Sequence, residues 1–248
     1  MGPTFRHLLV PRGYESDGST FVSLANLLFL SEEARVTWSF TPEGAPLGRS
    51  EHQLARVQRL VVHAPIETHQ ELAIEVRIAR VGRTSFEALH RFLAPGDDRL
   101  LATVACTLVC TDGRGAKTEV PETLAAMAFP TPTEGLPDPG LDAPPEAFRL
   151  AFPVMPSDEN RGGHLSHARV AEHLDDVRRL AGLRGALGPD TALASAPARA
   201  LTIVYEREAR FGDELEALAF PLEPGLAEAR LRVASTGEHV ARARIASR

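Results

Sequence analysis

One offset runs through this sequence. Phe5-Arg6 returns as Phe148-Arg149, 143 residues on, and the same spacing carries Ser23 to Ser166, Ala25 to Ala168 and Arg35 to Arg178. It also carries Glu32-Glu33 to Asp175-Asp176 and Glu71-Leu72 to Glu214-Leu215. A spacing held over about seventy residues marks a duplication, so the chain must solve one folding problem twice. Between the copies, Pro121, Pro130, Pro132, Pro137, Pro139, Pro144 and Pro145 cluster with Gly135 and Gly140. Such a stretch forms neither a helix interior nor a central strand. The expected organisation is a first domain over 1–120, a semi-extended Pro-rich linker over 121–147 and a second domain over 148–248.

Each copy shows the same pattern. A short strand is expected over 5–12 and again over 148–155, then a polar loop over 13–19 and 156–163. A helix follows over about 22–37 and about 165–182. Its apolar positions are Val22, Ala25, Leu28, Phe29 and Val36 in the first copy, and Leu165, Ala168, Ala171, Leu174 and Val177 in the second. After a variable stretch the first copy offers strands over 71–82, 84–94 and 99–110, broken by Gly82 and the turn at Pro95-Gly96-Asp97-Asp98. The second offers 200–208, 213–223, 227–235 and 238–246, broken by Glu223-Pro224-Gly225 and Thr236-Gly237. A long helix followed by an antiparallel meander is an α+β unit, with the sheet wrapped around the helix.

Charge and cysteine usage narrow the function classes. The 27 basic residues, all arginine except Lys117, face 33 acidic ones, and the net charge of −6 argues against a general nucleic-acid binder. No run approaches the roughly 18 apolar residues of a membrane span, and the apolar stretch in MGPTFRHLLVPRG is too short for a signal peptide. Cys106 and Cys110 are the only cysteines. Four apart in a strand, they share a face and read as core packing in a reducing, cytoplasmic compartment rather than as a disulfide framework or a zinc site.

The doubled helix-and-meander pattern resembles the hotdog fold, repeated in one chain. The closer likeness is to the double-hotdog acyl-ACP thioesterases of plants and bacteria. Their first half opens with Arg-x-Tyr-Glu and a helix holding Leu-x-Asn; here stand Arg12-Gly13-Tyr14-Glu15 and Leu24-Ala25-Asn26. Their second half carries Ser-Asp-x-Asp-x-Asn-x-His; here it is Ser157-Asp158-Glu159-Asn160-Arg161-Gly162-Gly163-His164. A later strand like Leu-Thr-Leu-Glu-Tyr-Arg-Arg-Glu-Cys appears as Leu201 to Ala209. The resemblance implies a tandem hotdog that imitates a homodimer within one chain, with further assembly left open. It also implies a thioester substrate on acyl carrier protein or CoA, and no cofactor or metal. Of the family's catalytic group, His164 and Glu208 match; Asn160 stands at the Asp position and Gly162 at the Asn position. Other hotdog thioesterases place Asp-x-x-Gly-His before the helix. The first half keeps Asp17 but has Phe21 for the histidine.

Thioester hydrolysis needs a base or nucleophile, donors for the oxyanion, and an apolar slot for the acyl chain. The base is expected to be His164 oriented by Glu208, or Asp17 in the other half. Asn160 cannot titrate but can orient a carbonyl or a water. Gly162-Gly163, before a helix N-terminus, would let backbone N–H groups approach a thioester. Leu24, Leu28 and Phe29 are expected to line the acyl slot. Simpler readings stand beside these. Asp17-Gly18-Ser19-Thr20 is good turn and cap sequence, and Asn160 suits a turn. His164, His167 and His173 read as a solvated histidine-bearing stretch. Glu32-Glu33 and Asp175-Asp176 are expected to end their helices, with Glu33 and Asp176 as reserve carboxylates. A hotdog dehydratase, cyclase or acyl transferase, or a non-catalytic acyl-thioester binder, are the alternatives.

Overall fold

A computed structural model describes residues 3–16, 20–48, 52–112, 114–140, 142–160, 162–189 and 196–247. The chain divides into two compact units, Met1–Glu134 and Gly135–Arg248. The first holds β1 (Phe5–Leu9), the long helix α1 (Leu24–Ser39), a short helix α2 (Ala45–Gly48), β2 (His52–Val62), β3 (Leu72–Val81), β4 (Ser85–Leu93), β5 (Leu100–Thr111) and a one-turn helix α3 (Glu122–Ala125). The second holds β6 (Phe148–Pro153), the long helix α4 (His167–Leu183), β7 (Ala200–Tyr205), β8 (Glu214–Glu223), β9 (Leu226–Val233) and β10 (His239–Ala246).

Within the first unit the strands lie in the order β1-β3-β4-β5-β2, every pair antiparallel. The second repeats it as β6-β8-β9-β10-β7. The offset of the sequence is thus an offset of topology. It holds to the residue at the helix starts: Ser23 and Ser166 are the N-caps, each hydroxyl accepting from the N–H three residues on, Asn26 and Arg169, at 3.2 Å. The repeated arginine is an internal tie in both copies. Arg35 reaches Gln53 at 2.9 Å. Arg178, fully buried, bonds Asp175, Ser247 and the carbonyl of Ala196.

Several expectations are corrected. The buried residues of α1 are Leu24, Leu27, Leu28, Leu30, Ser31, Ala34 and Trp38, whereas Phe29 and Val36 are 46% and 41% exposed. Glu32-Glu33 and Asp175-Asp176 do not end their helices; both helices run about two further turns. The variable stretch contains a whole strand, β2, which the sequence hides for a physical reason. A register shift between Ala55 and Val57 breaks the alternation, leaving Leu54 exposed and Gln58 buried. Residues 200–208 are strand only as far as Tyr205.

The proline-rich stretch is shared between the units. On the first, Leu124 and Met127 are buried and the Phe129 N–H donates to the Ile78 carbonyl at 2.8 Å. On the second, the chain runs as a strap held by side chains of the sheet. Glu228, buried on β9, accepts from the Gly140 N–H at 2.9 Å and pairs with Arg230 and Arg244. Thr202 donates to the Leu136 carbonyl, and Arg242 donates to the carbonyl of Pro139. Burial opposes the charge on Glu228, but the Gly140 N–H and the two guanidiniums outweigh it and hold its carboxyl below the usual range.

Cys106 and Cys110 are buried on β5 and form no disulfide, and burial pushes the Cys106 thiol up to about 11. His90 on β4 is also fully enclosed; its Nδ1 sits 3.1 Å from the Val104 carbonyl, and burial, helped by Arg35, lowers it to about 3. An imidazole depressed from 6.5 to about 3 binds its proton only in the unfolded chain across that window. Stability is therefore expected to fall as pH drops below about 6.5, by up to about 1.4 kcal/mol per pH unit from this residue. Urea melts at stepped pH check this: His90→Leu should flatten the slope between pH 6 and pH 4.

Candidate active site

The site is built at the start of α4, where the preceding loop is tied to the segment after β7. The Leu165 N–H donates to the Ala209 carbonyl at 2.7 Å, and the Phe211 N–H donates to Glu159 Oε1 at 2.7 Å. Asp213 closes the same segment, accepting from the Arg210 N–H and, through its carbonyl, from the Val154 N–H, each at 2.9 Å. These bonds bring Glu208 beside His164. Glu208 Oε1 lies 3.9 Å from His164 Nδ1, and its Oε2 lies 3.4 Å from Arg210. Glu208 lies beyond the end of β7, and nearby Glu206 pairs instead with Arg242.

The loop itself is folded by Asn160. Its N–H donates to the His164 carbonyl at 2.9 Å and its own carbonyl accepts from the Gly163 N–H at 3.0 Å. Its side-chain Oδ1 accepts from the Gly162 N–H at 2.8 Å, and its Nδ2 sits 2.9 Å from His164 Nε2. The glycines have roles the sequence did not suggest. Both N–H groups are consumed inside the turn, so neither waits for an oxyanion. Gly163 turns the chain at φ +70°, and Gly162 leaves room for the ring: a Cβ there would stand 2.8 Å from His164 Cε1.

The tautomer of His164 follows. Asn160 Oδ1 is an acceptor for Gly162, so Nδ2, a donor only, is the atom facing Nε2. Nε2 therefore carries the lone pair, and the proton sits on Nδ1, facing Glu208. The lone pair by which His164 could act as a base is already engaged, whereas Glu208 is partly exposed and keeps acceptor capacity.

The counterpart in the first unit shows the same stitch flanked by other side chains. The Val22 N–H donates to the Ile66 carbonyl at 2.8 Å, matching Leu165 and Ala209 residue for residue. Phe21 stands for His164 and Pro65 for Glu208. Asp17 lies outside the described residues. Leu24 and Leu28 are in the core of that unit, while Phe29 points away from it, so the three do not line one surface. Among the described residues no group of three or more His, Cys, Asp or Glu could hold a metal, and no helix is long and apolar enough to cross a membrane.

Comparison with known proteins agrees with this architecture. Residues 24–127 match the model of the thioesterase-like superfamily. No curated protein matches the sequence. Among solved structures, the 12:0-ACP thioesterase from Umbellularia californica superposes with a TM-score of 0.78 at 14% identity, covering 98% of this chain and 96% of that one. An acyl-ACP thioesterase from Bacteroides thetaiotaomicron gives 0.77 at 14% identity, over 98% and 97% of the two chains. These likenesses span both units, so the fold is the tandem hotdog.

Gly162→Ala tests the packing of the loop. Because the added methyl meets the His164 ring and Asn160 Oδ1 at 3.1 Å, the Asn160–His164 contact is expected to break. The site lies at the surface, so the melting temperature should drop by only a few degrees. Imidazole NMR reads the outcome: the His164 ring signals should move and those of buried His90 should not.

Proposed function

Because its first unit carries the thioesterase-like signature and the whole chain has the tandem hotdog fold, we propose that this protein hydrolyses an acyl thioester carried by acyl carrier protein or CoA, at Asn160, His164 and Glu208. The observation that carries the reading is the pairing of an oriented imidazole with a carboxylate at the start of a long helix. It occurs in the second unit, and the first replaces both members. The structural neighbours, themselves acyl-ACP thioesterases, point the same way.

In this reading Glu208 takes the proton from water as the oxygen attacks the thioester carbonyl carbon. The tetrahedral intermediate then collapses, the C–S bond breaks and the proton passes to the leaving sulfur, giving free acid and thiol. His164, held by Asn160, presents Nδ1–H toward the carboxylate and keeps it in place. The 3.9 Å separation is beyond a hydrogen bond, so this is orientation by charge and dipole. The positive end of α4 favours the negative charge that develops beside it.

This exchanges the roles assigned from sequence, where His164 was the base and Glu208 its orienter. A panel of acyl-ACP and acyl-CoA thioesters, followed by thiol release and product mass, tests both levels. Free acid is the expected product. Glu208→Gln should lower kcat by about a hundredfold or more as the loss of a general base, His164→Ala by less, and Asp17→Asn hardly at all. A mild Glu208→Gln with an inactive His164→Ala would restore the imidazole as base. A dehydrated or transferred product would replace hydrolysis with another thioester reaction.

A further inference from the structure

We propose that His173 is a proton-sensitive switch on the catalytic loop, acting through Asp158; the proposal rests on the reading just given. Asp158 ties the loop at both ends. Its Oδ2 accepts from the Met155 N–H at 3.0 Å, and its carbonyl accepts from the N–H of Ser166, the N-cap of α4, at 2.9 Å. Asn160 follows two residues later. The carboxylate is buried, and two side chains of α4 face it: Arg169 Nε at 4.0 Å from Oδ1 and His173 Nε2 at 3.8 Å from Oδ2.

His173 is not the solvated residue expected from sequence. Its ring lies 4.6 Å from that of Phe152 on β6, and its Nε2 is buried without a hydrogen-bond partner. The charges that act on it are Asp158 from the loop and Glu172 and Arg169 from α4; burial outweighs them and favours the neutral ring.

The first unit supplies an internal control. There Glu15 holds the place of Asp158: its carboxylate accepts from the Arg12 N–H and its carbonyl from the Ser23 N–H at 3.0 Å. At the helix position of His173 stands Leu30, 2% exposed. The fold therefore accepts leucine at this place. The second unit instead buries an imidazole nitrogen with no partner, which is costly, and it is the unit that carries His164 and Glu208.

When His173 gains a proton, Nε2 becomes a charged donor 3.8 Å from Oδ2, the oxygen that holds the Met155 N–H. Closing that gap makes a charge-assisted bond and draws Asp158 toward α4, away from Met155. The turn 156–158 moves, and Asn160 and His164 move with it. With neutral His173 the loop is held in its described geometry by the bonds of Asp158 to Met155 and Ser166, and protonation of His173 pulls it away. The direction is fixed: mild acid should lower kcat more than it changes KM.

The experiment compares wild type, His173→Leu and His173→Gln across pH 5 to 8, reading kcat and KM on one thioester and the imidazole and Asn side-chain signals by NMR. Both variants should melt no lower than wild type, as Leu30 leads one to expect. Both should keep kcat at pH 7 within about threefold and exceed wild type several-fold at pH 5.5, with KM unchanged. In wild type the Asn160 and His164 signals should shift together with His173, and in His173→Leu that component should vanish. Superimposable pH profiles, or a change confined to KM, would overturn the proposal. Should wild type hydrolyse no thioester, the functional reading fails by itself. The NMR coupling then decides the His173 proposal: present, it stands as a proton-driven movement of the loop; absent, it falls.

Discussion

The whole arrangement depends on one backbone hydrogen bond made twice. In each unit the residue before the helix N-cap donates its N–H to a carbonyl in the segment after β2 or β7, Val22 to Ile66 and Leu165 to Ala209. That bond ties the start of the long helix to the end of β2 or β7. Without it, a loop of six or so residues would leave its polar backbone groups unpaired at a crowded helix terminus. With it, whatever side chains flank the donor and the acceptor become neighbours, although they lie about forty-five residues apart in the chain.

Duplication has let those flanking side chains diverge while the stitch stayed. In the second unit they are His164 and Glu208; in the first, Phe21 and Pro65. The carboxylates one turn earlier, Glu15 and Asp158, diverged less, because each satisfies N–H groups of a short turn that the stitch requires. Backbone satisfaction is common to both copies, and ionisable groups with no such duty differ between them.

The same division between backbone duty and free chemistry explains the strap. A proline-rich segment has few N–H groups of its own to give, so it is held by side chains reaching out of the sheet. Glu228 receives the Gly140 N–H, and Arg242 and Thr202 donate to strap carbonyls. Burying Glu228 with Arg230 and Arg244 offsets the desolvation of each charge, while removing one partner would strand the others.

The sequence by itself determined the duplication, both long helices and nine of the ten strands to within a few residues, because each of these rests on local periodicity and punctuation that a one-dimensional reading can see. It placed Asn160, Gly162 and His164 together, since they lie within five residues, and it reached Glu208 only through resemblance to a known family. β2 was not legible, because a register shift moves its side chains from one face to the other partway along. The division of the proline-rich stretch was not legible either, because it follows from which sheet offers donors and acceptors to it. Tertiary structure also decided the hydrogen bonding within the site. Which nitrogen of His164 holds the proton depends on how Gly162 orients the Asn160 amide, and whether His173 is solvated depends on Phe152 and Asp158 closing over it. Those are contacts among groups brought together by folding, and no spacing along the chain encodes them.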